Sequence, residues 1–172
     1  NNYFERLAGS SNRAALAVMD AQANPPLSGY APVVNATISR NTFVDVAKIS
    51  FGVGHDPAKG LDVAASNSRF SANLIVNRNS KNPPTAASSL AGITFAGNLQ
   101  SPQASTVFPG GVASATVTLQ QAASGLWVPS PALPAVGAEA ALTMTAREAT
   151  GVDWYPKVGE VALSRTNTGV DR

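Results

Sequence analysis

No cysteine occurs among the 172 residues, which removes disulfides, thiolate metal sites and cysteine nucleophiles together. Histidine occurs once, as His55. Charge is scarce too: Asp, Glu, Lys and Arg make up 13% of the chain, against roughly 25% in an ordinary globular domain. The net charge is only +2, and the basic residues lie singly from Arg6 to Arg172. No basic run therefore supplies the stripe with which nucleic-acid binders neutralise phosphates. No apolar run approaches the roughly 20 residues that a membrane helix needs, so no transmembrane span is expected. The chain starts at Asn1 without a methionine, consistent with a removed leader or with trimmed first residues.

What is present is a chain 44% hydrophobic, punctuated by 14 glycines and 12 prolines. Low net charge with that apolar content predicts a folded chain rather than a disordered one. Its length suits one domain, able to bury roughly 70% of its unfolded surface.

The spacing of Phe4, Leu7 and Ala8, followed by Ala14, Ala15, Leu16, Val18 and Met19, predicts a broken helix over Tyr3 to Ala23. Gly9 to Asn12 interrupts it and Asn24-Pro25-Pro26 ends it. Beyond Pro26 the period changes to two. Strands are expected at Val34–Ser39, Phe43–Val53, Phe70–Asn77, Ala91–Ala96, Val112–Gln120, Leu126–Val128, Ala140–Arg147 and Val158–Ser164. Between them lie turn clusters such as Gly52-Val53-Gly54-His55-Asp56-Pro57 and Phe108-Pro109-Gly110-Gly111. No internal repeat stands out. About eight strands without interleaved helices predict an all-β fold, a two-sheet antiparallel sandwich of jelly-roll type. The expected division is an N-terminal helical arm over 1–26, a β-sandwich over 27–164 and a polar tail over 165–172.

The search for chemistry yields fragments. His55 stands beside Asp56 in a loop, where an oriented base could sit, but no second catalytic group completes a site. Asp56 and Asp62 are the only close acidic pair in the strand-rich region, without calcium-loop spacing. Gly52-Val53-Gly54 lacks the third glycine and the helix of a dinucleotide loop. Asn35-Ala36-Thr37 matches the glycosylation sequon but falls inside an expected strand. Trp127 and Trp154-Tyr155 read as packing aromatics ahead of sugar platforms. No catalytic, cofactor-binding or metal residue is assigned, and no cofactor is expected.

The least ordinary feature is the absence of any charged side chain from Asn82 to Ala138. Charge depletion marks the buried centre of subunit interfaces, while lone monomers place charges along exposed strands. The sequence alone thus suggests a non-enzymatic, self-assembling virion subunit, a coat or capsid-decoration protein. Its partners would be further copies of itself and a major shell protein, and its location a virion or extracellular. A secreted fimbrial or surface-layer subunit is the first alternative, and a carbohydrate- or ligand-binding sandwich module the second.

Overall fold

The computed structural model describes residues 2–8, 14–78, 85–101, 112–114, 116–123 and 125–130. Their strands are short, and almost every pairing is parallel. The first turn of a coil contains β1 (Tyr3–Glu5), β2 (Leu16–Met19) and β3 (Thr37–Ser39). The second contains β4 (Thr42–Val44), β5 (Ile49–Val53) and β6 (Ser68–Ser71), and the third β7 (Leu74–Val76), β8 (Thr85–Ala87) and β9 (Ile93–Ala96). A fourth turn opens with β10 (Asn98–Ser101), beside which lies β11 (Val112–Ser114). Each strand pairs with its counterpart one turn away, giving the sheets β1-β4-β7-β10-β11, β2-β5-β8 and β3-β6-β9. The chain is therefore a solenoid in which each turn contacts its neighbours.

Alternation of side chains explains how the coil closes around a core. In the first sheet Phe4, Phe43 and Ile75 share one inward column. Phe51 from the second sheet and Phe70 and Phe95 from the third meet them there. Phe4 stacks on Phe43 with centroids 4.8 Å apart, and Phe51 meets both Phe70 and Phe95 edge-on at 5.4 Å. Phe43, Ile49, Phe51 and Phe70 are fully buried.

A column of asparagines marks one corner of the coil. Asn41 Nδ2 donates to Asn73 Oδ1 over 2.8 Å, and Asn73 Nδ2 donates to Asn98 Oδ1 over 2.9 Å. Asn2 Nδ2 extends the ladder onto Asn41 Oδ1, and Asn98 Nδ2 ends it on the Phe70 carbonyl. The residue before each of the last three asparagines, Arg40, Ala72 or Gly97, has a positive φ of 56°, 51° or 59°. The left-handed conformation turns the chain sharply from the third sheet back into the first. The amides freed by this turn are buried, and the asparagine side chains satisfy them: Asn41 N donates to Asn73 Oδ1, and Asn73 N to Asn98 Oδ1.

A second layer covers the outer face of the first sheet. β12 (Leu119–Gln121) and β13 (Trp127–Pro129) form an antiparallel hairpin. Val117 and Leu119 pack on the outward residues Leu74, Val76 and Leu99.

These findings replace the antiparallel sandwich. Period-two alternation shows that one sheet face lies on a core, but it is the same for parallel and antiparallel neighbours. The N-terminal helix is corrected as well. Residues 3–5 and 16–19 are strands paired with β4 and β5, so they belong to the coil. Short apolar runs fit either period, and pairing against a preformed sheet outweighs weak helix propensity. The long strand expected over Phe43–Val53 is two strands, broken at Asp45 with φ 49°. Expected strands beyond residue 130, Trp154-Tyr155 and the tail lie outside the described residues.

Candidate functional site

Two polar clusters form on the outside of the coil. The first lies where β2 and β5 end. A register shift between Val18 and Met19 brings Met19 opposite Val53, and Asp20 N donates to the Val53 carbonyl at 3.0 Å. Gly52 has φ 67°, and a Cβ there would lie 2.4 Å from the amide nitrogen of Ser89, so only glycine fits this close approach. Gly54, with φ 79°, then sends the chain outward into His55.

At this rim Asp20 is 3% exposed and His55 is 45% exposed. His55 Nδ1 lies 2.7 Å from Asp20 Oδ2. An ionised carboxylate can only accept, so Nδ1 carries the proton and donates, and Nε2 is left for whatever approaches from solvent. Just beyond, Asp56 and Leu61 exchange backbone hydrogen bonds around a 3-10 turn at Pro57–Lys59. Lys59 Nζ sits 2.7 Å from Asp56 Oδ2 and is mostly solvated, a contact of small energy. Ala21 bridges to Val63, and Gln22 N donates to the Tyr30 carbonyl, so the loop carrying the exposed Leu27 and Tyr30 begins beside Asp20.

The second cluster clamps the hairpin to the first sheet. The Arg78 guanidinium lies 4.2 Å from the Trp127 ring centroid, and its Nε donates to Asp45 Oδ2 over 2.8 Å. The amide of Trp127 donates to the Tyr3 hydroxyl, which in turn donates to Glu5 Oε2, both at 3.1 Å. Burial pushes the Tyr3 phenol above its ordinary pKa, opposed by the Trp127 amide and reinforced by Glu5. The Asp45 carboxylate holds the Arg78 guanidinium in its charged form. With the phenol engaged on both sides and the guanidinium pinned, this cluster is a clasp rather than a reactive centre.

Of the residues singled out in the sequence, His55 gains a partner, Asp20, that lies 35 positions away. Asp56 is occupied by Lys59, and among the described residues no three acidic or histidine side chains gather as a metal site. Asn35 is not inside a strand. It is exposed on a left-handed turn before β3, and its Oδ1 accepts from Asn67 Nδ2 at 2.6 Å. Trp127, singled out as a packing aromatic, lies under the Arg78 guanidinium, whereas Asp20 and Arg78 were not singled out, because only the coil register brings them to their partners.

Three sheets of parallel strands stacked in register define a parallel β-helix, an architecture that offers long faces to extended ligands. The chondroitinase B family model matches residues 1–138, and the chain belongs to that family. Among solved structures, a PL6 family alginate lyase, AlyGC, aligns at 34% identity with a TM-score of 0.68, over 91% of this chain and 22% of that one. An arginine-to-alanine variant of the same lyase aligns at 34% identity with a TM-score of 0.69 and the same coverage. This chain thus spans about a fifth of the length of those lyases. A search of curated proteins finds no match.

Family and fold together overturn the virion coat or capsid-decoration assignment and the non-enzyme expectation, since the relatives are polysaccharide lyases. An extracellular location is compatible with those relatives, and nothing supports a virion.

Proposed function

We propose that this chain is a section of a polysaccharide lyase that cleaves an acidic polysaccharide, its coil forming part of the surface along which the sugar chain lies. The observation that carries this reading is the match of the chondroitinase B family over residues 1–138, on a coil that also aligns with an alginate lyase. A lyase breaks the glycosidic bond by elimination: a base removes the proton beside the uronate carboxylate, the C–O bond to the leaving sugar breaks, and a C=C bond forms. The requirements are a base, an acid for the leaving oxygen and stabilisation of the carboxylate charge. At the end of the second sheet the buried Asp20 holds the exposed His55, while the hairpin occupies the outer face of the first.

The test uses the full-length protein on alginate, chondroitin sulfate and dermatan sulfate, following the ultraviolet absorbance of the unsaturated uronate. Absorbance growth on at least one acidic polymer, with none on neutral glucans, is the expected result. Hydrolysis without the unsaturated product, or no turnover on any acidic polymer, would refute the reading.

A further inference from the structure

We infer that Asp20 and His55 form a sugar-hydroxyl subsite, in which Asp20 positions the ring and His55 Nε2 makes the hydrogen bond to the ligand. This assignment rests on the lyase reading for the class of its ligand. Its geometry is independent of that reading.

Four observations support it. Asp20 is buried, and the partner of its Oδ2 is His55 Nδ1 at 2.7 Å, so the carboxylate fixes which ring nitrogen carries the proton. The His55 side chain itself is 45% exposed, within reach of a ligand. Both residues are held by backbone: Asp20 N donates to the Val53 carbonyl and His55 N to the Gly52 carbonyl. Two residues beyond Asp20, Gln22 anchors Tyr30, whose half-exposed ring and the exposed Leu27 give the same loop an apolar surface of the kind sugar rings pack against.

The local charge decides between ligand groups. Asp20, Asp56 and Asp62 are acidic, and Lys59 is already paired with Asp56. The net negative surrounding is a poor setting for a carboxylate or sulfate and a better one for a sugar hydroxyl, which can both donate and accept at Nε2. Such a contact adds binding energy equally to substrate and transition state, so it acts on KM rather than on kcat.

The experiment is steady-state kinetics of the full-length protein with His55→Ala and Asp20→Asn on the acidic polymer that the wild type cleaves best. His55→Ala should raise KM about 3- to 10-fold, the worth of one hydrogen bond, with kcat unchanged. Asp20→Asn should shift KM in the same direction. Melting curves report folding, and because the His55 ring is half exposed, His55→Ala keeps the test valid if Asp20→Asn unfolds. A hundredfold loss of kcat would make His55 part of the chemistry and overturn the subsite. An unchanged KM in His55→Ala would overturn it as well. If the wild type cleaves nothing, the lyase reading fails separately, and calorimetric titration of the same polymers decides the subsite. A 3- to 10-fold weaker affinity of His55→Ala supports it, while equal affinity, or no binding by the wild type, refutes it.

Discussion

Asn73 Nδ2 donates to Asn98 Oδ1 over 2.9 Å while Asn73 Oδ1 accepts the Asn41 amide and side chain, joining three turns of the coil at one corner. Replacing Asn73 with alanine leaves buried donors of Asn41 without their acceptor and frees the Ile38 carbonyl. The expected loss is roughly 2–4 kcal/mol. Thermal unfolding should show a midpoint lowered by about 5–15 °C. Asn73→Leu, of similar size but without the polar groups, should do no better, because the Asn41 amide and the Ile38 carbonyl still lose their Asn73 partner.

Phe70 contacts the rings of Phe43, Phe51 and Phe95 and is fully buried. Phe70→Ala should cost about 3–5 kcal/mol through lost burial and the cavity left behind. Urea unfolding is the measurement, and a cost below 1 kcal/mol would show that the coil collapses around the gap.

Gly92 has φ 70°, and a Cβ there would fall 1.8 Å from the Ala65 carbonyl oxygen. Gly92→Ala should therefore destabilise by more than the roughly 1 kcal/mol of a plain left-handed penalty, since the backbone of the neighbouring turn must move. Gly60→Ala is the matched control: its φ is 69° and no atom lies within 4 Å of the added carbon.

Tyr3 gives the fold an alkaline limit. Its phenol is held above the ordinary value of 10.0, first by burial, so the folded state keeps its proton after the unfolded chain has lost it. A raised folded value means a contribution that is complete below the unfolded pKa and is lost as pH rises through the folded one. Melting temperatures measured from neutral pH to above the phenol range should fall in that window. The part due to Tyr3 should vanish in Tyr3→Phe.

Removing residues 1–24 deletes β1 and β2, the partners of β4 and β5. The truncated chain should lose stability by exposing Phe43 and Phe51, which Phe4, Leu16 and Val18 help to cover. A truncated chain that melts as the full one does would restore the detachable-arm picture.

Strand-forming stretches were legible in the sequence, but the runs Phe70 to Asn77 and Val112 to Gln120, expected as single strands, are each divided, between β6 and β7 and between β11 and β12. The connection between strands was not legible, since a parallel turn of coil and an antiparallel hairpin use the same turn residues. A signal was nevertheless present. Asn2-Tyr3-Phe4, Asn41-Thr42-Phe43, Asn73-Leu74-Ile75 and Asn98-Leu99-Gln100 begin successive turns, at intervals of 39, 32 and 25 residues. Unequal spacing hides such a repeat from any search for a fixed period. The Asp20–His55 pair was hidden for the same reason, since the two meet only after the coil has closed. Part of the neutrality after Asn82 also has a local use, as Asn98, Leu99, Gln100 and Ser101 are all buried in the coil. Sedimentation of the full-length protein measures whether the remainder meets a second copy.

The shrinking intervals between ladder asparagines separate two design problems. Strand columns stay in register whatever the excursion between them, so a turn of 39 residues and one of 25 stack equally well. Residues can be added or removed at the rim, between β2 and β3 or after β5, without re-aiming the next strand. Each turn thus behaves as a replaceable shelf on a fixed upright. If the rim holds a sugar chain as proposed, swapping the loop of residues 54–62 between relatives should transfer ligand preference while leaving the melting temperature nearly constant.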